Sequence, residues 1–515
     1  MTEVGIRAKA DIGLGSWFSR RVVQTPDRPA LTFEGETRSY RQMGDAINRL
    51  ATALRAGGVC RGDRVGFLGL NQPLYFDLLF AAARLGAIFV PLNFRLTGPE
   101  LDYIINDAGV HTLVVDGPHR PVIDGVRDRL CCRRFLSADG PAPGWQPVRE
   151  FVGDAAPLKD GEATADDDVA VIMYTSGTTG RPKGAMLTHG NFWWANINGM
   201  LGADVSEKDV TLVMAPLFHI GGLNVTPLSC WQKGGHVVLH RSFDPARFLA
   251  DVAHYRVTTT FAVPAMLLFV SQLPDFAAAD LSSLRVIMCG GAPVPEPLLR
   301  LYNARGIPMN QGYGLTETAP SGTYLGPDFA LAKLGSAGKP MFFVDLRVVG
   351  EDGRTPLGPN ARGEVIMRGP NIMRGYWNKP EATAAAIDAE GWFHSGDIGY
   401  LDEDGFLYIC DRLKDMIISG GENIYPAEVE AVLYDHPAIA EVAIFGEPDA
   451  KWGESVTAVA ALKPGQSLDI EALRVWATER LARYKLPSRL EIVTALPRNP
   501  AGKVLKFELR DRFRR

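Results

Sequence analysis

The most informative stretch of the chain reads Tyr174-Thr175-Ser176-Gly177-Thr178-Thr179-Gly180-Arg181-Pro182-Lys183-Gly184 and follows directly on an apolar run, residues 169–173. This order predicts a strand that leads into a hydroxyl- and glycine-rich turn. Glycines let a backbone fold around an oxyanion, while hydroxyl groups and a lysine add donors and charge. The stretch therefore predicts a polyphosphate-binding loop. Its predicted binding residues are Thr175, Ser176, Gly177, Thr178, Thr179, Gly180 and Lys183.

The spacing of this loop differs from that of the common P-loop. The GxxxxGK[ST] template requires a glycine immediately before the lysine, whereas Pro182 precedes Lys183 here. The sequence thus predicts a different kind of nucleotide-binding fold.

Length and composition indicate a large globular protein of several units. The chain has 515 residues, of which 46% are hydrophobic and 22% charged, which predicts more than one packed core. The formal net charge of −5 provides no overall field to attract nucleic acid or anionic lipid. We therefore expect small-molecule partners and no nucleic acid.

Cysteine usage and apolar runs bear on the compartment. The six cysteines form no CxxC pair, which is typical of thiols in a reducing compartment. Residues 1–14 lack the apolar core of a signal peptide, and the longest apolar run, residues 261–270, is too short to span a bilayer. We therefore expect a cytoplasmic protein without a membrane span.

The pattern along the chain predicts an α/β fold. Helical patterns at residues 50–56 and 78–85 alternate with strand-like runs at 64–68 and 111–115, which favours layered α/β subdomains with parallel sheets. The polar stretch 137–168 is either a connection between subdomains or a long surface loop.

The pattern of predicted secondary structure changes towards the C-terminus. Residues 337–408 contain short β-prone runs divided by Gly and Asp turns, which predicts a small β-rich subdomain. About a hundred residues with an α+β pattern follow Lys414, enough for a small domain. We therefore predict an N-terminal domain over 1–413 and a C-terminal domain over 414–515.

The loop at 174–184 resembles the signature phosphate loop of the adenylate-forming superfamily, which includes acyl-CoA synthetases, adenylation domains and beetle luciferases. Two further segments, 289–293 and 311–318, resemble the adenosine-binding pair of that family. The resemblance implies an ATP site that contains Gly290, Gly291, Ala292, Pro293, Gln311, Gly312, Tyr313, Gly314, Asp397 and Arg412. Within it, Tyr313 would stack on the base, Thr316 would serve phosphate, Glu317 would bind Mg²⁺, and Asp397 would hold the ribose hydroxyls.

The segment 215–222 resembles the family segment that borders the acyl pocket. A histidine in an apolar stretch is by itself more typical of a core residue, but the resemblance makes His219 a pocket wall. The predicted pocket residues are His219, Ile220, Gly221, Phe261, Val263, Gly312 and Gly314. Its glycines, with Gly222, indicate a roomy pocket and its other residues an apolar one. This favours a medium- or long-chain fatty acid, with an aromatic acid as the second choice.

The C-terminal segments resemble the family's mobile domain. Residues 411–415 match its hinge, with Lys414 at the pivot, and residues 497–504 match the loop that carries its catalytic lysine, here Lys503. Coenzyme A would contact Ser419, Gly420, Gly421 and Trp452. The stretch 484–488 departs from relatives that carry more basic groups there, which leaves the CoA phosphate contacts open.

Together the segments imply an AMP-forming acyl-CoA ligase. With ATP and Mg²⁺ it would convert a carboxylic acid into acyl-AMP and pyrophosphate, and then form a thioester with coenzyme A. The predicted catalytic residues are Lys503, Thr316, Glu317 and His219. An amine or a carrier-protein thiol is the alternative acceptor. Assembly as a homodimer remains open.

Overall fold

The computed structural model describes residues 11–175, 182–292, 294–412, 415–419, 422–449, 453–478, 480–481, 483–498 and 504–513. The chain divides into two compact units. The first comprises Met1–Leu346 and Met367–Phe393, and the second Arg347–Ile366 and His394–Arg515.

The strands are β1 Pro29–Phe33, β2 Glu36–Ser39, β3 Arg64–Leu68, β4 Ile88–Leu92, β5 Val110–Val115, β6 Arg134–Ser137, β7 Gln146–Pro147, β8 Val169–Thr175, β9 Lys183–Thr188, β10 Val210–Val213, β11 His236–Leu239, β12 Thr259–Ala262, β13 Val286–Gly290, β14 Met309–Gly312, β15 Thr323–Tyr324, β16 Lys339–Pro340, β17 Asp345–Val349, β18 Gly363–Arg368, β19 Gly375–Tyr376, β20 Phe393–Leu401, β21 Leu407–Arg412, β22 Ile417–Ser419, β23 Glu422–Ile424, β24 Ile439–Asp449, β25 Gly453–Leu462 and β26 Arg489–Val493.

The α-helices are α1 Leu14–Gln24, α2 Tyr40–Ala56, α3 Pro73–Arg84, α4 Gly98–Ala108, α5 Arg120–Asp124, α6 Val148–Val152, α7 His189–Gly202, α8 Ile220–Asn224, α9 Pro227–Lys233, α10 Pro245–Tyr255, α11 Pro264–Ser271, α12 Glu296–Ala304, α13 Pro327–Ala330, α14 Pro380–Ala386, α15 Pro426–Tyr434, α16 Ile470–Thr478 and α17 Lys506–Phe513. Within the described ranges, none of them combines the length and apolar character that a bilayer crossing requires.

Two large sheets form the first unit. The seven-stranded sheet has the order β14-β13-β12-β10-β11-β1-β2, and its neighbours are parallel except for the β1–β2 pair. The eight-stranded sheet has the order β19-β9-β8-β4-β3-β5-β6-β7 and is parallel from β8 to β7. The predicted α/β fold with largely parallel sheets is confirmed.

The stretch 137–168 connects strands of one sheet. It contains β7, which extends the eight-stranded sheet beyond β6, and it ends just before β8 of the same sheet. The stretch therefore lies within one sheet and does not join two subdomains.

The seven-stranded sheet is buried on both faces. Leu212, Ile287 and Met309 belong to one core cluster, whereas Val213 and Val237 belong to the other. The sequence of a parallel strand enclosed in this way is a continuous apolar run, because the side chains on both faces are buried. Near the carboxyl ends of β12 and β13 this enclosure is incomplete, because Phe261 and Met288 are only half-buried.

Local signals set where the helices begin. Thr188 caps α7 directly after β9: its hydroxyl accepts a hydrogen bond from the Asn191 backbone, and the Asn191 side chain accepts one from the Thr188 backbone. Such a reciprocal cap satisfies amide groups that the first helical turn leaves unpaired. The cap makes a sharp transition from strand to helix just beyond the phosphate-loop hairpin.

The second unit contains most of a four-stranded sheet, β17-β18-β20-β21, and a five-stranded sheet, β23-β22-β25-β24 with β26 paired to β25. Residues 347–366 and 394–408, predicted to form a β-rich subdomain, therefore group with the C-terminal residues. The predicted boundary and hinge at Lys414 lies outside the described residues, so the division into 1–413 and 414–515 stays a prediction.

Candidate active site

The carboxyl ends of β10, β12, β13 and β14 lie along one edge of the seven-stranded sheet, because these neighbours are parallel. Ligands of open α/β sheets bind at this edge. The structure brings together here predicted residues from separate parts of the chain: His219, Ile220, Gly221, Phe261, Val263, Gly290, Gly291, Ala292, Gln311, Gly312, Tyr313 and Gly314. Pro293 lies outside the described residues.

Two glycines at this edge allow β13 and β14 to approach closely. Gly290 and Gly312 are register partners, and a Cβ atom built on Gly290 would lie 2.9 Å from the Gly312 carbonyl oxygen. Gly291 follows with a φ of +82°, a conformation that favours glycine. The edge is therefore a bare backbone surface, as expected of a site for a flat base.

The phosphate-loop hairpin is held at its base by β8 and β9. Thr175 and Lys183 are antiparallel register partners, and the Thr175 hydroxyl donates to the Lys183 carbonyl oxygen at 3.5 Å. The predicted residues Ser176, Gly177, Thr178, Thr179 and Gly180 lie outside the described residues. The structure therefore places the two ends of the predicted loop side by side.

A chain of contacts runs from the loop lysine to the predicted metal ligand. Nζ of Lys183 lies 5.3 Å from the ring centroid of Tyr376, and the Tyr376 hydroxyl donates to Oε1 of Glu317 at 2.8 Å. Glu317 is buried and, with Thr316, forms a short 3-10 helix, Thr316–Thr318. Tyr376 reaches this position because β19 pairs with β9.

His219 lies at the N-terminal end of α8, with its ring centroid 4.3 Å from that of Phe218. Burial lowers the pKa of His219 to about 4, and the charge of Arg95 adds to this effect. Its buried Nε2 has no hydrogen-bond partner among the described residues. The imidazole is therefore neutral near pH 7.

The glycines around α8 and β14 mark close packing. A Cβ on Gly221 would lie 2.9 Å from two ring atoms of Phe261, and one on Gly312 would lie 3.2 Å from the Thr323 carbonyl oxygen. Added Cβ atoms on Gly222 and Gly314 would overlap the carbonyl oxygens of Pro216 and Pro320, respectively. Backbone and ring atoms thus occupy the space beside each of these glycines, and the size of the acyl pocket stays a prediction.

Several predicted residues belong to the second unit. Asp397 is buried in β20, where its register partner is Arg412 of β21. Ser419 pairs with Glu422 and Gly453 at the end of β22. Outside the described residues lie Lys414, Gly420, Gly421, Trp452 and Lys503. The roles assigned to all these residues stay predictions.

Two family models match the chain. The model for the AMP-binding enzyme covers residues 18–377, and the model for the AMP-binding enzyme C-terminal domain covers residues 428–503. The chain belongs to the AMP-binding enzyme family. The resemblance seen in the sequence is thereby confirmed.

Relatives of this AMP-binding enzyme are CoA ligases. The chain is 45% identical over 502 residues to a feruloyl-CoA synthase of Amycolatopsis sp, covering 97% of this chain and 99% of the relative. It is 42% identical to an indoleacetate–CoA ligase of Aromatoleum aromaticum, and the match covers 96% of this chain and 97% of the relative. It is 40% identical to a long-chain-fatty-acid–CoA ligase of Mycobacterium tuberculosis, and that match covers 92% of this chain and 93% of the relative. This AMP-binding enzyme is an acid–thiol ligase, an AMP-forming acyl-CoA synthetase.

A solved relative has the same architecture. The o-succinylbenzoate coenzyme A synthetase of Bacillus subtilis, in complex with ATP and magnesium ion, superposes with a TM-score of 0.85 at 35% identity. The match covers 96% of this chain and 99% of that chain. The fold described above is therefore that of an AMP-binding enzyme.

Sequence reasoning did not single out two residues of this AMP-binding enzyme that the structure draws attention to, Tyr376 and Asn310. Tyr376 lies 59 positions along the chain from Glu317, whose carboxylate it contacts. The one feature of the sequence that could have drawn attention to Tyr376 is the neighbouring aromatic residue, Trp377. Asn310 precedes the predicted motif by one residue. The signal that could have identified it was a polar residue at a buried position of a strand.

Proposed function

We propose that this AMP-binding enzyme activates an aryl-substituted carboxylic acid with ATP and Mg²⁺, and then transfers the acyl group to coenzyme A. The observation that carries this choice is the contact of Phe261 with the backbone at Gly221. A ring packed against bare backbone makes a narrow, flat wall, and His219, whose ring is neutral, precedes Gly221 by two residues at the start of α8. Such a surface suits a planar ring better than a flexible chain.

The ranking reverses the expectation from sequence, which placed a fatty acid first. That expectation depended on open space at the glycines, and the close contacts that a Cβ atom would make at each of them argue against it. The names of two relatives, feruloyl-CoA synthase and indoleacetate–CoA ligase, also support an aryl acid. A medium- or long-chain fatty acid is the second candidate, supported by the mycobacterial relative.

The reaction needs activation because a carboxylate is a poor electrophile. In the first step its oxygen attacks the α-phosphorus of ATP and pyrophosphate leaves. Catalysis of such a step consists mainly of alignment and charge neutralisation. In the second step the CoA sulfur attacks the acyl carbon and AMP leaves. A free thiol with a pKa near about 8.5 supplies enough thiolate without a dedicated base.

The residues near Glu317 fit a magnesium ion bound together with nucleotide. A buried carboxylate supplies the oxygen that Mg²⁺ prefers, and Mg²⁺ commonly takes only one or two protein carboxylates beside substrate phosphates. In the part of the chain that the structure describes, no group of three or more His, Cys, Asp or Glu side chains forms a metal site. Glu317 would hold the ion next to the nucleotide phosphates, and the ion would supply neutralisation of the developing charge.

The side chains of Lys183 and Tyr376 would prepare this site. The Lys183 ammonium lies on the Tyr376 ring at the base of the phosphate loop, which places positive charge where polyphosphate is expected. The Tyr376 hydroxyl donates to one oxygen of Glu317 and would thereby orient the carboxylate towards the ion. Thr316, next in the chain to this carboxylate, would donate to a phosphate oxygen.

The remaining predicted residues complete the proposal. Lys503 would bridge the attacking carboxylate and the nucleotide in the first step, which requires a charged lysine. Asp397 would accept hydrogen bonds from the ribose, with Arg412 near the nucleotide. Rotation about Lys414 would then exchange Lys503 for the CoA-binding residues Ser419, Gly420, Gly421 and Trp452.

Pyrophosphate release across a panel of acids tests the proposal. The panel contains ferulate, indole-3-acetate, octanoate, palmitate and acetate, each assayed with and without CoA and followed by mass spectrometry. We expect the highest kcat/KM with an aryl acid and its CoA thioester as the product. A preference for octanoate or palmitate would establish the second candidate, and pyrophosphate release without any thioester would contradict the proposed acceptor.

A further inference from the structure

Asn310 carries a buried amide oxygen without a hydrogen-bond partner. The residue lies in β14 and is 3% exposed. Its Nδ2 donates to Sδ of Met288 at 3.4 Å, whereas its Oδ1 is unpaired within the described ranges. A thioether is only a weak acceptor. Both polar atoms of the amide are thus poorly satisfied. A buried polar group of this kind either binds a ligand or lowers the stability of the folded protein.

The register of three strands places this amide on the proposed acyl-pocket wall. Phe261 pairs with Met288, and Met288 pairs with Asn310. Register partners on neighbouring strands project to the same face, and residues one position away project to the other. Ile287 and Met309, one position away, lie in the core on the opposite face.

The three side chains therefore form a row across the sheet. It begins at Phe261, whose ring contacts the backbone of α8 at Gly221, continues with Met288 and ends at Asn310. Neighbouring strands are about 4.8 Å apart, so the backbone at Asn310 lies roughly 10 Å from the backbone at Phe261. The row is apolar over its first two members and polar at its end.

We propose that Asn310 is a specificity-determining residue whose Oδ1 accepts a hydrogen bond from an O–H or N–H group on the ring of the acid. This inference rests on the proposed function, since it assumes an aryl acid in this pocket. An amide oxygen is a neutral acceptor, so it suits a neutral phenol or indole. A site with a buried acceptor rejects an analogue without the donor, because the acceptor then stays unpaired.

The test compares two acids that differ by one hydroxyl group, 4-hydroxycinnamate and cinnamate. The wild-type enzyme is expected to prefer the hydroxylated acid by about tenfold or more in kcat/KM, which corresponds to one buried hydrogen bond. In Asn310→Leu, which is similar in size and lacks the acceptor, we expect this ratio to fall close to one. The ratio within one variant does not depend on the fraction of enzyme that folds.

Asn196→Leu is the matched control. Asn196 is also buried, lies in α7, and has a side-chain oxygen without a partner among the residues described. Its replacement should leave the ratio as in the wild type. A second pair, indole-3-acetate and 1-naphthylacetate, distinguishes a ring N–H donor from a phenolic O–H donor.

The outcomes separate this inference from the proposed function. Turnover of aryl acids with an unchanged ratio in Asn310→Leu would overturn the role of Asn310 alone, as would a wild-type enzyme that does not discriminate in either pair. Turnover of fatty acids without any aryl acid would overturn the proposed function, and the role of Asn310 with it. A ratio that collapses in Asn310→Leu and survives in Asn196→Leu would establish the assignment.

Discussion

The hydroxyl of Tyr376 donates a hydrogen bond of 2.8 Å to the buried carboxylate of Glu317, and the same tyrosine ring supports the ammonium of Lys183. One side chain thereby links the base of the predicted phosphate loop with the predicted magnesium ligand. Hydrogen bonds to charged groups contribute about 1.5–3 kcal/mol, so this contact is strong enough to orient the carboxylate.

Tyr376→Phe should weaken magnesium-dependent adenylation. The variant keeps the ring near Lys183 and loses the hydroxyl that donates to Glu317, so we expect the Mg²⁺ concentration for half-maximal activity to rise about tenfold. The measurement is ATP–pyrophosphate exchange titrated with Mg²⁺. Tyr376→Leu, which also loses the ring, should in addition raise KM for ATP. An unchanged Mg²⁺ titration in Tyr376→Phe would contradict the orienting role.

Lys503→Ala should separate the two half-reactions. If Lys503 bridges the carboxylate and the nucleotide, its loss abolishes acyl-AMP formation and largely spares thioester formation from supplied acyl-AMP. Single-turnover assays with acid plus ATP, and with acyl-AMP plus CoA, measure the two steps. An equal loss of rate in both half-reactions would contradict the role proposed for Lys503.

Gly221→Ala should affect the acid and not the nucleotide. The new methyl group would lie 2.9 Å from the Phe261 ring, so the ring must move, and we expect KM for the acid to rise several-fold with KM for ATP unchanged. Gly199→Ala in α7 is the control, because a Cβ there meets no atom within 4 Å. It should stabilise the helix by about 0.5–1 kcal/mol and leave both KM values unaltered. A parallel change in both variants would contradict the placement of Gly221 in the acid site.

Stability should fall as the pH decreases from 6.5 to 4, in part through His189. This residue is buried, and burial lowers its pKa to about 4. The unfolded chain binds the proton near pH 6.5 while the folded state stays neutral, so the stabilisation is complete above pH 6.5 and is lost towards pH 4. The loss amounts to roughly 3 kcal/mol at most.

Urea unfolding of the wild type and of His189→Asn between pH 7 and pH 4 measures this effect. The asparagine side chain can still accept the hydrogen bond that the Leu14 backbone donates to His189 Nδ1, and it has no proton to gain. We expect a smaller pH slope in the variant. Equal slopes would mean that other groups, such as His236, whose pKa burial also lowers to about 4, account for the acid sensitivity.

Short-range patterns of residue type were enough to predict the strand that leads into the hydroxyl- and glycine-rich turn at 174–184, the parallel sheets, and the family to which the chain belongs. These follow from residue type and short-range spacing, which backbone geometry converts directly into strands, turns and caps. The neighbouring residues Thr316 and Glu317, for example, were identified from such a short pattern.

The contacts that those residues make with distant parts of the chain became visible in the folded structure alone. A glycine in a sequence is equally consistent with open space and with close approach, and the ring of Phe261 resolved the choice at Gly221. The link from Tyr376 to Glu317 depends on the pairing of β19 with β9, and the unpaired oxygen of Asn310 on the register of three strands. Such contacts join residues far apart in the chain, so their energies depend on packing that no local pattern contains.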